Sequence, residues 1–126
     1  MLRVLVLDDE KLIRWSLDKI LSQEGYLVDT AATMDDALKL ADAKAYDLFI
    51  SDLEICGDQA KPFFSAMLAK QPKARVIALT ALAKDLADRT LGEIMICAII
   101  EKPFTSEEIK TVVKTAVSPR KASAHA

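Results

Sequence analysis

Three acidic residues, Asp8, Asp9 and Glu10, stand directly behind the apolar run Val4 to Leu7. Like charges about 4 Å apart cost on the order of 4 kcal/mol per pair at an effective dielectric near 20, so an edge that gathers them implies a counter-charge. Further along, three other apolar runs end in a chemically useful residue: "FIS" in Asp52, "IAL" in Thr80 and "IIE" in Lys102. Carboxylate oxygens without histidine or thiolate point to Mg²⁺ in preference to zinc, with Asp8, Asp9 and Asp52 as its ligands. A carboxylate held at such a metal can attack a phosphoryl group and form an aspartyl phosphate. Lys102 would neutralise charge on the transferring oxygens, and the Thr80 hydroxyl would donate to one of them. Asp52, alone at the end of its run, is the expected nucleophile. The sole histidine, His125, lies near the C-terminus, so the phosphoryl group must come from outside.

Each of these residues has an ordinary alternative. An aspartate at a strand end is commonly a turn or capping residue, and acidic residues at a helix start are favoured by its dipole. Their joint placement is what points to chemistry. Short β-rich runs alternate with amphipathic helical ones in five pairs, the pattern of an α/β domain with a parallel sheet. The expected strands are Arg3 to Leu7, "YLVDTA", "DLFIS", "RVIAL" running to Thr80, and "IMICAII". Helices are expected after each: from Leu12 to near Gly25, over "MDDALKLADA" behind Thr33, from Pro62 through "FFSAMLAK", over the polar "KDLADRTLG", and from Thr105 to Ser118. Ligands of open parallel sheets bind beyond the carboxyl ends of the strands, so Asp8, Asp9, Asp52, Thr80 and Lys102 can converge there.

The totals are compatible with this. The chain has 126 residues, 52% hydrophobic and 29% charged, with a formal charge of −2, the scale of one domain. No basic cluster lies in the periodic segments, so no direct nucleic-acid partner is expected. No apolar stretch approaches the roughly 18 residues of a membrane span, and a cytoplasmic location is expected. Cys56 and Cys97 lack CxxC spacing and histidine partners, which fits reduced thiols.

The "DDE" at 8 to 10, Asp52 in "ISDL", Thr80 in "ALTA" and Lys102 in "EKPF", in this order and with five βα pairs, resemble the receiver domains of two-component response regulators. The resemblance covers essentially residues 2 to 117 and implies one domain over 1–117, with 118–126 as a flexible tail or truncated linker. It implies a flavodoxin-like (βα)5 three-layer sandwich with a parallel five-stranded sheet in the order 2-1-3-4-5. By the same likeness, Asp52 accepts phosphate from the phosphohistidine of a sensor kinase or phosphotransfer protein, and the domain catalyses both this step and its own dephosphorylation. Asp9 would ligate Mg²⁺ directly, Asp8 mainly through water, and the Glu54 backbone carbonyl would complete the shell. Thr80, the Ala81 amide and Lys102 would hold the phosphoryl oxygens, and the Lys102–Pro103 bond would be cis. An output protein or C-terminal effector domain, and a monomer or weak homodimer, complete the expectation. The stretch "IRWSL" at 13 to 17 further resembles receivers of nitrogen-regulator-type activators.

Two stretches depart from the family pattern. After Asp52 the chain reads "LEICGDQAKPFF", with Cys56 and Ala60 where a proline and a glycine are usual, and the Glu54 side chain has either the metal or solvent within reach. In the fifth strand Ile99 replaces the usual aromatic switch residue, and Met95-Ile96 replace a usual Gly-Ala. Weaker or altered coupling between phosphorylation and the face around that strand is expected. The competing expectation is a phosphorylation-independent adaptor with the receiver fold, binding a partner constitutively. Flavin binding is disfavoured, because "DDEKLIR" has no phosphate-cradling Gly, Ser or Thr.

Overall fold

The computed structural model describes residues 2–81 and 96–118. Five strands form one parallel sheet: β1 (Arg3–Leu7), β2 (Leu27–Ala31), β3 (Leu48–Asp52), β4 (Arg75–Thr80) and β5 (Ala98–Glu101). Their spatial order is β2-β1-β3-β4-β5, the doubly wound order expected. Among the described residues the helices are α1 (Lys11–Gln23), α2 (Met34–Ala43), α3 (Ala60–Lys70) and α4 (Ser106–Val117), with a 3-10 turn at Gly57–Gln59.

The uninterrupted apolar runs follow from burial on both faces of the sheet, which removes the usual polar alternation of a strand. Leu5, Leu7, Phe49, Val76 and Ala78 pack with Phe63, Phe64 and Met67 of α3 and Ala37 and Ala41 of α2. The alternate residues Val4, Val6, Leu48, Ile50, Ile77 and Leu79 pack with Leu17 and Leu21 of α1 and Ile109 and Val113 of α4. The sheet thus separates two cores, and α1 and α4 share one side.

Local chemistry sets the helix ends. The Thr33 and Thr105 hydroxyls accept from the amides of Asp36 and Glu108, capping α2 and α4. Gly25, just beyond α1, has φ +92°, a conformation that suits a residue without Cβ.

Several boundaries differ from the sequence expectation, β2 and α1 by one residue at their starts and three others for identifiable reasons. α3 begins at Ala60, ahead of Pro62; proline is tolerated in a first turn, where the amides have no intrahelical acceptor. β3 starts at Leu48, because the Asp47 carboxylate accepts from the Arg3 amide at 2.8 Å and turns the chain into the sheet. β5 starts at Ala98, since it pairs on one side only and its register with β4 opens at Ile77↔Ala98. The expected polar helix "KDLADRTLG" and Met95 lie outside the described residues.

Candidate functional site

All five strands run the same way, so Asp8, Asp52, Thr80 and Lys102 come to one edge. Register makes this specific: Leu7 pairs with Ser51, Asp52 with Leu79, and Thr80 with Glu101. The residues that follow each pair are therefore neighbours. The Leu53 amide continues the ladder to the Leu79 carbonyl and the Lys102 amide to the Thr80 carbonyl, each at 2.7 Å.

Asp8 is fully buried. Its Oδ1 accepts from the Glu10 amide at 2.9 Å and its Oδ2 accepts from Lys102 Nζ at 2.9 Å, so both oxygens are satisfied. From α1, Arg14 Nη1 donates to the Asp8 carbonyl at 2.8 Å and ties the loop to the helix. Sequence reasoning missed Arg14; its position one turn into the helix behind the acidic run was the available signal.

Lys102 is the shared counter-charge. Besides Asp8, its Nζ lies 3.5 Å from Asp52 Oδ1 and 3.8 Å from Glu10 Oε1. Burial alone would lower the pKa of its ammonium, but the Asp8 hydrogen bond and the charges of Asp52, Asp8 and Glu10 outweigh it and hold the pKa above its ordinary value. The Lys102–Pro103 peptide bond is cis.

Asp52 ends the central strand and is buried, and its Oδ1 accepts from the Glu54 amide at 3.2 Å. Burial pushes its carboxyl up to about 6; Lys102 opposes the shift, and Asp8 adds to it. Cys56 sits below, its thiol donating to the Asp52 carbonyl at 3.8 Å, with burial raising its pKa to about 11. Occupying the place where a proline is usual, Cys56 is a buried packing residue in this loop.

Carboxylate oxygens of Asp8, Asp9 and Glu10 lie within 4.8 Å of one another, Asp8 buried and the other two exposed. An all-oxygen set of this spacing fits a hard divalent cation. Of the expected ligands Asp8, Asp9, Asp52 and the Glu54 backbone carbonyl, the first two belong to this cluster. Glu10 belongs to it, whereas Asp52 meets the same edge through the Lys102 ammonium.

Glu54 is the residue whose placement the sequence did not reveal. Its side chain reaches neither the acidic cluster nor open solvent alone: Oε2 accepts from the buried Thr80 hydroxyl at 2.7 Å and Oε1 accepts from the Ala81 amide at 2.6 Å. Two residues beyond Asp52, it leaves β3 at the level where β4 ends, which brings both donors within reach of one carboxylate. Ile99 pairs with Ala78 in β5 and is partly buried against the α2–α3 core.

The comparisons with known proteins agree with this geometry. PdtaR, a transcriptional regulatory protein of Mycobacterium tuberculosis, is 32% identical over 118 residues, covering 92% of this chain and 57% of PdtaR. The chain thus spans little more than half the length of that relative. Sporulation initiation phosphotransferase F of Bacillus subtilis is 29% identical over 112 residues, 89% of this chain and 90% of that protein. Among solved structures, the response regulator TrrA of Thermotoga maritima, in complex with Mg(2+)-BeF, superimposes with a TM-score of 0.75 at 34% identity, over 92% of this chain and 99% of TrrA. The family model for the response regulator receiver domain matches residues 4–114, and with the sheet order and the acidic edge it identifies the chain as a member of that family, the receiver domain of a two-component response regulator.

Proposed function

We propose that this domain is a phosphorylation-dependent signalling switch, with Asp52 as phosphoacceptor and a sensor kinase or phosphotransfer protein as donor. The carrying observation is the single ammonium of Lys102, set between the buried carboxylates of Asp8 and Asp52 at the edge that also holds the Thr80 hydroxyl and the Ala81 amide. In the transfer step, an Asp52 carboxylate oxygen forms a bond to phosphorus while the P–N bond of the donor phosphohistidine breaks, and the imidazole leaves with the electron pair and takes up a proton. Hydrolysis then forms a bond from water oxygen to phosphorus, breaks the bond to Asp52 and returns the carboxylate and inorganic phosphate.

Lys102 neutralises charge on the transferring oxygens, and its contact with Asp8 keeps it aimed at the edge. Asp8, Asp9 and Glu10 would hold a divalent cation, Mg²⁺ in this reading, which supplies charge neutralisation to the same oxygens. The domain therefore promotes its own phosphorylation and dephosphorylation. Sensor kinase, output partner or effector, and a cytoplasmic setting belong to the same reading; no described helix is long and apolar enough to cross a membrane.

One observation favours a second reading, the constitutive adaptor: the Thr80 and Ala81 donors already hold the Glu54 carboxylate. Intact-protein mass after incubation with acetyl phosphate separates the two. A Mg²⁺-dependent gain of one phosphoryl group, abolished in Asp52→Asn, is the outcome expected of the switch; no gain in the wild type is the outcome expected of the adaptor.

A further inference from the structure

Thr80 and Ala81 present two donors side by side, one hydroxyl and one backbone amide, at the sheet edge beside Asp52. A bidentate carboxylate on such a pair is the geometry of anion recognition: charge-assisted bonds of 2.7 and 2.6 Å, one to each oxygen. The anion comes from the chain itself. Glu54 is exposed at the surface, yet its charged end is turned inward onto a buried hydroxyl. It is linked to Asp52 from its other end too, since its own amide donates to Asp52 Oδ1.

We propose that Glu54 is an internal competitor of the phosphoryl group, holding its oxygen donors until it is expelled. This rests on the reading of Asp52 as phosphoacceptor and adds a step to it. Phosphoryl oxygens attached to Asp52 and the Glu54 carboxylate require the same two donors, and two anions cannot share them. Acceptance is an exchange of one anion for another at Thr80 and Ala81, with the Glu54 side chain swinging into solvent. Thr80 keeps an anionic acceptor before and after the exchange, so its own displacement is small. Glu54 is the group that moves.

The test is a titration with beryllofluoride in the presence of Mg²⁺, followed by the backbone amide resonances, on wild type, Glu54→Gln, Glu54→Ala and Asp52→Asn. Before any addition, the Ala81 amide proton should move upfield in Glu54→Ala as its short charged bond is lost. The Glu54→Ala variant should then bind the probe about tenfold more tightly than wild type, with Glu54→Gln between them because it keeps one neutral acceptor. Binding that depends on Asp52 but is equal or weaker in Glu54→Ala, or an unmoved Ala81 proton, would overturn the competition while leaving the phosphoacceptor intact. No binding that depends on Asp52 in any variant would overturn the phosphoacceptor reading and the competition with it. The exposure of Glu54 means that each variant is expected to fold, which the dispersion of the same spectra reports.

Discussion

Asp52 and Asp8 are both buried carboxylates with opposite economies. Asp8 is satisfied on each oxygen, by the Glu10 amide and by Lys102, while Asp52 has the more distant side of the same ammonium and a carboxyl lifted to about 6. In its ionised form Asp52 therefore opposes folding. Its folded pKa, about 6, exceeds the reference 3.8, so this destabilisation is absent below about 4, grows as pH rises from about 4 to 6 and is complete above. In EDTA at pH 7, Asp52→Asn is expected to raise the unfolding free energy by about 2 kcal/mol, a gain that disappears near pH 4. Urea denaturation at the two pH values checks it; an equal gain at both would assign the effect to packing. Thiol chemistry separates the cysteines in the same way. Cys97 is exposed and should react with iodoacetamide in the native protein, whereas Cys56, buried with its pKa near 11, should label only on unfolding. The Asp8, Asp52, Thr80 and Lys102 positions were legible in the sequence, because strand ends can be counted. The Glu54 contact was not, because it depends on how a loop without the usual proline and glycine folds back over the end of β4.

At the scale of elements, α2 and α4 owe their starts to single threonine side chains, and these are testable one at a time. Thr105→Ala removes the acceptor for the Glu108 amide and should cost about 1 kcal/mol. Arg75 acts at the other end of α4. From the start of β4 its Nη1 donates to the carbonyls of Ala116 and Ser118, two groups that the helix itself leaves without partners. Arg75→Ala should therefore fray the last turn, speeding amide exchange at residues 114–117 while leaving α1 protected; uniform acceleration across the molecule would argue for a global effect. Capping by Thr33 and Thr105 was readable from sequence, since the capping residue and its target are three apart. The Arg75 link was not, because it joins residues brought together only by the register of the sheet.

For the whole molecule, the doubly wound layering means that neither core stands alone. Phe64 fills the side of α2 and α3, and Ile109 the side of α1 and α4, each almost wholly buried. Phe64→Ala is expected to cost about 4 kcal/mol and to lower one cooperative transition instead of releasing one layer, because β1, β3 and β4 belong to both cores. Coincident fluorescence and circular dichroism curves would bear this out. In the proposed reading, cation binding would be a property of the folded edge as well. Mg²⁺ should raise the melting temperature by mass action, and Asp9→Asn, at an exposed position, should remove that shift without lowering the melting temperature of the chelated protein. The fold was legible from five alternating pairs of apolar runs and amphipathic segments, whereas the division into two cores emerges only when alternate residues of one strand face different helices.

Glu54 belongs to neither core, and this separates two quantities that proteins usually cannot vary independently. Changing a buried residue to adjust a response ordinarily changes stability as well. A residue that grips the end of β4 from the surface can be lengthened, neutralised or removed with the packed layers left alone. If Glu54 competes as proposed, the threshold at which this domain would answer a phosphoryl donor is open to inheritance in small steps, one side chain at a time, while the sheet that presents Asp52 stays as it is.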